Sequence, residues 1–411
     1  MNVAFQTFGC RLNRAEALDH EARLLAEGHV VVPLDGATPP DIIVVRGCSV
    51  TAKAERDCRK SIARLRSRFP SARIEIIGCL KIPSSNSQPS ILPHTHLQHP
   101  TLNSQLLTLN FQRGPLRTAR AYLKIQDGCS GRCAFCIVPS FRGKPRSASF
   151  EQVLARAHAF LAAGYREIVL TGCNLALYRD SGHGLADVLA TLAALGTDPT
   201  SHRIRLSSLE PGVCDDAVLE AFASHPNICR FLHLSVQSGS VPILARMNRP
   251  YTIEAVDRFC AKAVQALGPR LALGADVITG FPGETEVDFA ATRNFILRHP
   301  FANLHVFPFS ERPGTPAAKM DGSVAPAVRR ARAKELESIG QDKRTAFAQS
   351  FLGQEVEVCI ERDGAGWTAE YLKCAIKDFK DLKGPLPRRS LVKARVVRVE
   401  GDRLVAVSSA L

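Results

Sequence analysis

The chain has 411 residues, 45% of them hydrophobic and 22% charged, the balance of an ordinary globular protein long enough for two or three domains. It has no run of roughly eighteen apolar residues, and Met1-Asn2-Val3-Ala4-Phe5 does not begin a secretory signal, so no membrane contact and a cytoplasmic location are expected. Lys and Arg number 53 against 39 Asp and Glu, a net +14 that favours a polyanionic partner, while 13 cysteines, an odd count in a reducing compartment, point to metal ligation rather than disulfides.

Residues 2 to 8 read as a strand that ends at Gly9-Cys10. Asn13 to Glu27 carries Leu18, Ala22, Leu25 and Ala26 on one helical face, with Gly28 at the C-cap position. Val30 to Pro33 reads as a short strand. Asp41 to Val45 is a continuous apolar run, as a buried parallel strand would be, and it leads to Arg46-Gly47-Cys48. A basic helix from about Thr51 to Arg68 precedes Arg73 to Ile77 and Gly78-Cys79. Parallel α/β sheets bind ligands beyond the carboxyl ends of their strands. Cys10, Cys48 and Cys79 all stand there, each just after a glycine, and so are predicted to meet in space. Cysteines of a core would fall inside the strands. Lys81 to Thr118 is rich in Pro, Ser and Asn and reads as a linker or irregular end to a first domain spanning 1–118. Its His94, His96 and His99 read as solvated loop histidines, with metal binding as the alternative.

The stretch Gln126-Asp127-Gly128-Cys129-Ser130-Gly131-Arg132-Cys133-Ala134-Phe135-Cys136 follows a strand-like Ala121 to Ile125. Gly128 and Gly131 let the loop curl so that three thiolates converge. An iron–sulfur cluster usually takes four thiolates. Three with no fourth nearby suggest one open iron, and an open position marks a catalytic metal site. A zinc knuckle is the alternative, although no His lies in the loop.

Six strands alternating with helices follow over 119–351: Tyr122 to Gln126, Glu167 to Leu170, Arg203 to Leu206, Phe231 to Val236, Leu271 to Gly280 and Asn303 to Pro308. This predicts an incomplete parallel (β/α)6 barrel with its chemistry at the carboxyl mouth. Glu210, Gln237, Arg249 and the glycine-rich Gly274 to Gly283 fall at these mouths. The charged helix from Pro326 to Phe351 reads as a solvated face. From 352 to 411 the alternation Glu355 to Glu361, Leu391 to Val399 and Arg403 to Val407 predicts a small antiparallel β-barrel. Trp367 and Tyr371 beside basic residues suit stacking on unpaired bases, or else buttress the core. Two tracts concentrate charge. Lys53 to Arg73 has eight basic residues and two acidic, and Tyr371 to Leu411 has ten and four, which suits folded RNA.

Cys129, Cys133 and Cys136, with Ile137-Val138-Pro139-Ser140-Phe141-Arg142-Gly143 and Arg146-Ser147 after them, resemble the cluster motif of the radical S-adenosylmethionine enzymes. Among these the chain is most similar to the radical methylthiotransferases, which carry a second cluster on an N-terminal domain. Thr7-Phe8-Gly9-Cys10 with Asn13, Cys48-Ser49-Val50-Thr51 and Gly78-Cys79 extend the resemblance. It departs at Arg46-Gly47, where relatives have Asn-Thr, and at Leu80-Lys81-Ile82, where relatives have a small residue and Gln. The resemblance implies two 4Fe-4S clusters, one on each cysteine set, and S-adenosylmethionine. It further implies Glu210 as a ribose-binding carboxylate, and Gln237, Gly274 and Gly280 at the cofactor. Arg142, Arg249, Trp367 and Tyr371 would contact the RNA substrate. A sulfur source and a low-potential electron donor would be needed. Gly172-Cys173-Asn174-Leu175, Arg205 to Pro211 and Leu304 to Ser310 look most like the branch that acts on N6-threonylcarbamoyladenosine beside the tRNA anticodon. The alternatives are N6-isopentenyladenosine of tRNA, a ribosomal-protein Asp, or a non-catalytic RNA-binding protein with structural zinc.

Overall fold

The computed structural model describes residues 1–80, 118–377 and 386–408, apart from positions 197, 199, 200, 213 and 215. Of the linker expected from Lys81 to Thr118, residues 81–117, with its three histidines, lie outside the described residues.

The N-terminal apolar runs form β1 (Asn2–Thr7), β2 (Val30–Val31), β3 (Ile42–Gly47) and β4 (Arg73–Gly78), a parallel sheet in the order β2-β1-β3-β4. Every residue of β3 is buried, as a continuous apolar run predicts. Two helices cover the sheet, α1 (Arg11–Ala26) and α2 (Ala52–Arg68). They differ in a way that decides the architecture. The basic α2 buries only Cys58, Ile62 and Leu65, one ordinary stripe. Buried positions in α1 run around the helix and include Asn13, Ala15, Glu16, Ala17, Leu18, His20 and Glu21. Ala17 packs on Val3, Phe5 and Val44 of its own sheet, while Ala15 and Leu18 pack on Tyr122 and Val169 of the next unit.

That unit contains β5 (Ala121–Lys124), β6 (Gln126–Asp127), β7 (Arg146–Ser147), β8 (Glu167–Thr171), β9 (Arg203–Leu206), β10 (Phe231–Gln237), β11 (Ala272–Thr279) and β12 (Phe301–Pro308). The six long strands form two parallel triplets, β5-β8-β9 and β10-β11-β12. A parallel bridge between Leu209 and Leu234 joins them, and Leu209 N donates to His233 O at 2.7 Å. Among the described residues β5 and β12 are not paired, so the barrel stays open, as expected. Leu123, Ile168, Leu170 and Ile204 face the large core under the outer helices. Tyr122 and Val169 point the other way, toward α1. The N-terminal unit thus presses one helix into the inside of the barrel.

The C-terminal strands β13 (Glu355–Arg362), β14 (Ala365–Thr368), β15 (Lys373–Lys377), β16 (Leu391–Glu400) and β17 (Arg403–Ser408) close a barrel in the order β13-β14-β15-β17-β16. Four of its pairs are antiparallel and β15 with β17 is parallel, a detail the alternation could not reveal. This barrel docks on the amino ends of the parallel strands. Arg203 donates to Trp367 O at 2.6 Å, and Arg205 donates to Thr368 O at 2.8 Å and Ala369 O at 3.0 Å. The helix Pro326–Gln349 is not a purely solvated rod. Its Arg329 and Arg332 are buried, bonding Phe309 O at 3.1 Å and Glu284 at 2.7 Å, because the helix lies along the open side of the barrel. No helix among the described residues is long and apolar enough to cross a membrane.

Candidate active site

The loop after β6 carries the first thiol set. Cys129 N donates to Gly143 O at 3.0 Å, Cys136 N to Cys133 O at 3.1 Å and Ala134 N to Met247 O at 2.9 Å, which fixes a tight curl. A Cβ on Gly131 would lie 3.2 Å from Cys129 Sγ and 3.7 Å from Cys133 Sγ, in the space those thiols share. Any side chain there would fill it. The hollow therefore fits a compact inorganic group held by Cys129, Cys133 and Cys136. Burial pushes the Cys136 thiol up to about 11, and the other two thiols add to the rise. A ligand cation is what would draw these thiols into the thiolate form.

Beside the loop lies a polar cluster that the sequence only partly reveals. Arg249 donates to Cys133 Sγ at 2.9 Å and pairs with Glu210 at 2.8 Å. Its Nε reaches the Tyr251 hydroxyl at 2.9 Å. Glu210 also accepts from Asn174 Nδ2, and Asn174 N donates to Gln126 Oε1 at 2.9 Å. Glu210 is thus brought to the cluster loop, aligned by Asn174 beyond β8 and by Arg249 after the short helix that follows β10. A carboxylate so oriented can accept from two adjacent hydroxyls. The side chain of Arg249, expected among RNA contacts, is buried between Cys133 and Glu210. Gln237 closes β10 with φ of 68° and is buried there.

The two glycines are placed by packing. A Cβ on Gly274 would fall 2.3 Å from His233 Nδ1, and one on Gly280 2.3 Å from Arg329 Cγ. Gly274 thereby belongs to an inner polar layer that sequence reasoning missed. Asp276 Oδ1 lies 2.9 Å from His233 Nε2 and 3.2 Å from His305 Nδ1. Burial pushes the His233 imidazole down, against the pull of the Asp276 carboxylate. The missed signal was register: Gly274 pairs with His233 and Asn303, and Asp276 with His305, which puts the polar members of three strands on one face.

The second thiol set forms as predicted at the ends of β1, β3 and β4. A Cβ on Gly9 would strike Cys48 at 2.7 Å, and Ser49 Oγ donates to Cys79 O. Asn13 Nδ2 ties Phe8 O at 2.7 Å to Gly47 O at 3.1 Å, holding the first two cysteine turns together. Cys10 is exposed, while Cys48 and Cys79 are buried. Burial pushes the Cys79 thiol up to about 11, against the pull of Arg142. The three turns thus bring thiols of the same chemistry to one edge of the sheet, where β1, β3 and β4 are neighbours.

Arg142 was expected to touch RNA. It is buried between the two sets instead. Its guanidinium bonds Cys79, Glu16, Asp127 and Asn13, so none of it faces an open surface. Burial alone would raise the Glu16 carboxyl, but Arg142, Lys124 and Arg46 around it hold it well below the usual carboxylate range. Trp367 and Tyr371 also turn inward. Their rings stack at 4.5 Å, and Tyr371 stacks on Phe231 at 4.5 Å with the Arg11 and Arg205 guanidinia over it. Of the two readings offered for this pair, the geometry favours the buttress.

Comparison with known proteins matches the chain in two parts. The family model described as Radical SAM superfamily matches residues 123–296, and that described as Uncharacterized protein family UPF0004 matches residues 2–94. The chain is 32% identical over 386 residues to threonylcarbamoyladenosine tRNA methylthiotransferase MtaB of Thermotoga maritima, covering 87% of this chain and 86% of that protein. It is 33% identical over 387 residues to tRNA-2-methylthio-N(6)-dimethylallyladenosine synthase of a Parafrankia species, covering 86% and 77%. The solved radical S-adenosylmethionine methyltransferase TsrM of Kitasatospora setae shares the fold, with a TM-score of 0.55 at 13% identity over 77% of this chain and 73% of that one.

Proposed function

The chain belongs to the radical S-adenosylmethionine methylthiotransferases, and on that premise we propose that it adds a methylthio group to C2 of N6-threonylcarbamoyladenosine beside the anticodon of tRNA (position 37). It is an enzyme that transfers sulfur-containing groups. The observation that supports methylthiolation is the pair of three-thiol sets, with Arg142 on Cys79 and its neighbour Gly143 accepting from Cys129 N, since a radical step alone needs only one; the choice of nucleoside is supported by the similarity to the threonylcarbamoyladenosine enzymes. A 4Fe-4S cluster and S-adenosylmethionine at Cys129, Cys133 and Cys136, with a second cluster on Cys10, Cys48 and Cys79, supply when bound a hydrogen-abstracting radical and a transferable sulfur.

The chain's own residues do the rest. Glu210 accepts the ribose hydroxyls of the cofactor, held in place by Arg249 and Asn174. Arg249 places its positive charge beside Cys133 Sγ. Helix α1 packs Ala15 and Leu18 on Tyr122 of β5 and Val169 of β8 and keeps bulk water from that wall. Gln237, Gly274 and Gly280 shape the cofactor end of the barrel. C2 of adenine carries no acidic proton that a side chain of ordinary pKa could remove, which is why the fold is built around radical chemistry. The needed partners are tRNA, a sulfur source and a low-potential electron donor.

The test is the nucleoside content of tRNA from a deletion strain, measured by mass spectrometry before and after return of the gene. Loss and recovery of methylthio-threonylcarbamoyladenosine is expected. Loss of the methylthio-isopentenyl nucleoside alone would favour the second reading, which rests on the similarity to the dimethylallyladenosine enzyme. Unchanged tRNA with loss of methylthio from a ribosomal protein would overturn both.

A further inference from the structure

Arg142 ends the short helix Val138–Arg142, which starts directly after the turn carrying Cys136. A guanidinium has five N–H groups in a rigid fork. Here the fork meets five acceptor atoms. Nε donates to Cys79 Sγ at 3.3 Å. Nη1 donates to Glu16 Oε1 at 2.8 Å and Asp127 Oδ1 at 3.1 Å. Nη2 donates to Asn13 Oδ1 at 3.1 Å and, more weakly, to Glu16 Oε2 at 3.4 Å. Asn13 and Glu16 lie on α1, Cys79 just past β4, and Asp127 at the entry to the Cys129 loop. The next residue, Gly143, accepts from Cys129 N at 3.0 Å. One side chain, 2% exposed, therefore touches a ligand of one thiol set while its backbone neighbour anchors the other.

The charge around it is unbalanced. Lys124 bonds Glu16 at 2.6 Å and Asp127 at 2.7 Å, and Arg46 bonds Glu16 at 3.0 Å. With Arg142 itself and with Arg146 at 3.9 Å from Asp127, four cations share these two carboxylates, and Cys79 and Asn13 complete the acceptors of Arg142. We propose that Arg142 is a positioning residue that locks the two thiol sites at a fixed separation and draws electron density from the Cys79 thiolate. A guanidinium does not lose its proton, and N–H bonds to a cluster sulfur, like added positive charge, raise the reduction potential of that cluster. In a buried site the charge is poorly screened. The inference rests on the reading that Cys10, Cys48 and Cys79 hold a cluster.

The experiment uses the full chain, reconstituted anaerobically, as wild type, Arg142→Lys and Arg142→Gln. Iron and sulfide are counted, and each cluster is followed by electron paramagnetic resonance during a reductive titration. In Arg142→Gln the midpoint of the Cys10/Cys48/Cys79 cluster should move to a more negative potential. The shift should be smaller in Arg142→Lys, which keeps the charge but cannot span the five acceptors. The signal of the other cluster, and its response to S-adenosylmethionine, should stay as in wild type. The ratio of 5′-deoxyadenosine to methylthiolated product should rise in both variants as the separation loosens. An unchanged midpoint and ratio in a fully loaded Arg142→Lys and Arg142→Gln would overturn the proposal. If Arg142→Gln loses iron, the Lys variant alone decides by the same two readouts. A wild-type chain that binds iron for a single cluster would instead refute the two-cluster reading.

Discussion

Glu16 shows how a single residue can hold a site together. It lies on α1 and is buried among Arg142, Lys124 and Arg46. Removing its charge takes from Arg46 its bonded carboxylate and leaves Arg142 and Lys124 only Asp127, and breaking such a buried network costs about 3–5 kcal/mol. Glu16→Gln should therefore weaken the fold by that order at neutral pH, read as lost hydrogen-exchange protection along α1 in a urea series. The pH dependence has a definite sign. Glu16 is depressed in the folded state, so its contribution is fully present above its unfolded value of 4.5 and is lost as the pH falls toward the folded one. The gap between wild type and Glu16→Gln should narrow below that value and stay constant from there up to neutrality. At this scale the sequence was legible where a residue type repeats at a topological position. The three strand-end cysteines were found that way. Arg142 was misread because a basic residue after a cluster loop is as compatible with RNA as with a buried network. The departure at Gly47 and Leu80 was visible but unexplained. The structure pairs them: a Cβ on Gly47 would lie 2.5 Å from Leu80 Cβ, so the bulk lost at one position is regained at the other.

At the scale of elements, the closed C-terminal barrel touches the parallel strands through its β14–β15 turn. Tyr371 takes φ of 62° there and slots between Phe231, Trp367 and two guanidinia. Burial would raise its phenol, yet Arg11, Arg120 and Arg205 pull it below its ordinary value. This is an anchor, not a free stacking platform. Tyr371→Ala should lower stability by less than about 3–5 kcal/mol, the scale for deleting a fully buried aromatic, since Tyr371 is partly buried. It should also loosen the β14–β15 turn in limited proteolysis, while the salt dependence of RNA binding stays unchanged. A changed salt slope with unchanged stability would restore the RNA role. The alternation of β13, β16 and β17 was legible because period two is a local signal. The docking face was not, because one-sided aromatics look alike whether they meet a base or a neighbouring domain.

At the scale of the whole molecule, the net +14 must be displayed somewhere. Much of the arginine is spent inside, on Glu16, Glu167, Glu210 and Glu284. What remains outward includes Lys53, Arg56, Lys60 and Arg64 on α2, all exposed. If tRNA crosses this helix, replacing Lys60 and Arg64 with Ala should reduce the slope of log affinity against log salt by about 1.4–1.8, at about 0.7–0.9 per phosphate contact. Filter binding across a salt series measures it, and an unaltered slope would move the RNA path off α2. The barrel, its open side and the order of units were legible from strand and helix alternation. The insertion of α1 into that opening was not, since burial on both sides erases the amphipathic stripe by which a helix is normally read. That insertion has a consequence for biosynthesis. Helix α1 leaves the ribosome more than a hundred residues before its second partners, Tyr122 and Val169, which follow only with β5 and β8. Until then Ala15, Leu18 and Glu16 stand open on a finished N-terminal sheet, and Cys79 has no Arg142 over it. With the proposed cluster on the first cysteine set, the interval is a window in which iron and sulfide can reach Cys79 before Arg142 and the barrel cover it.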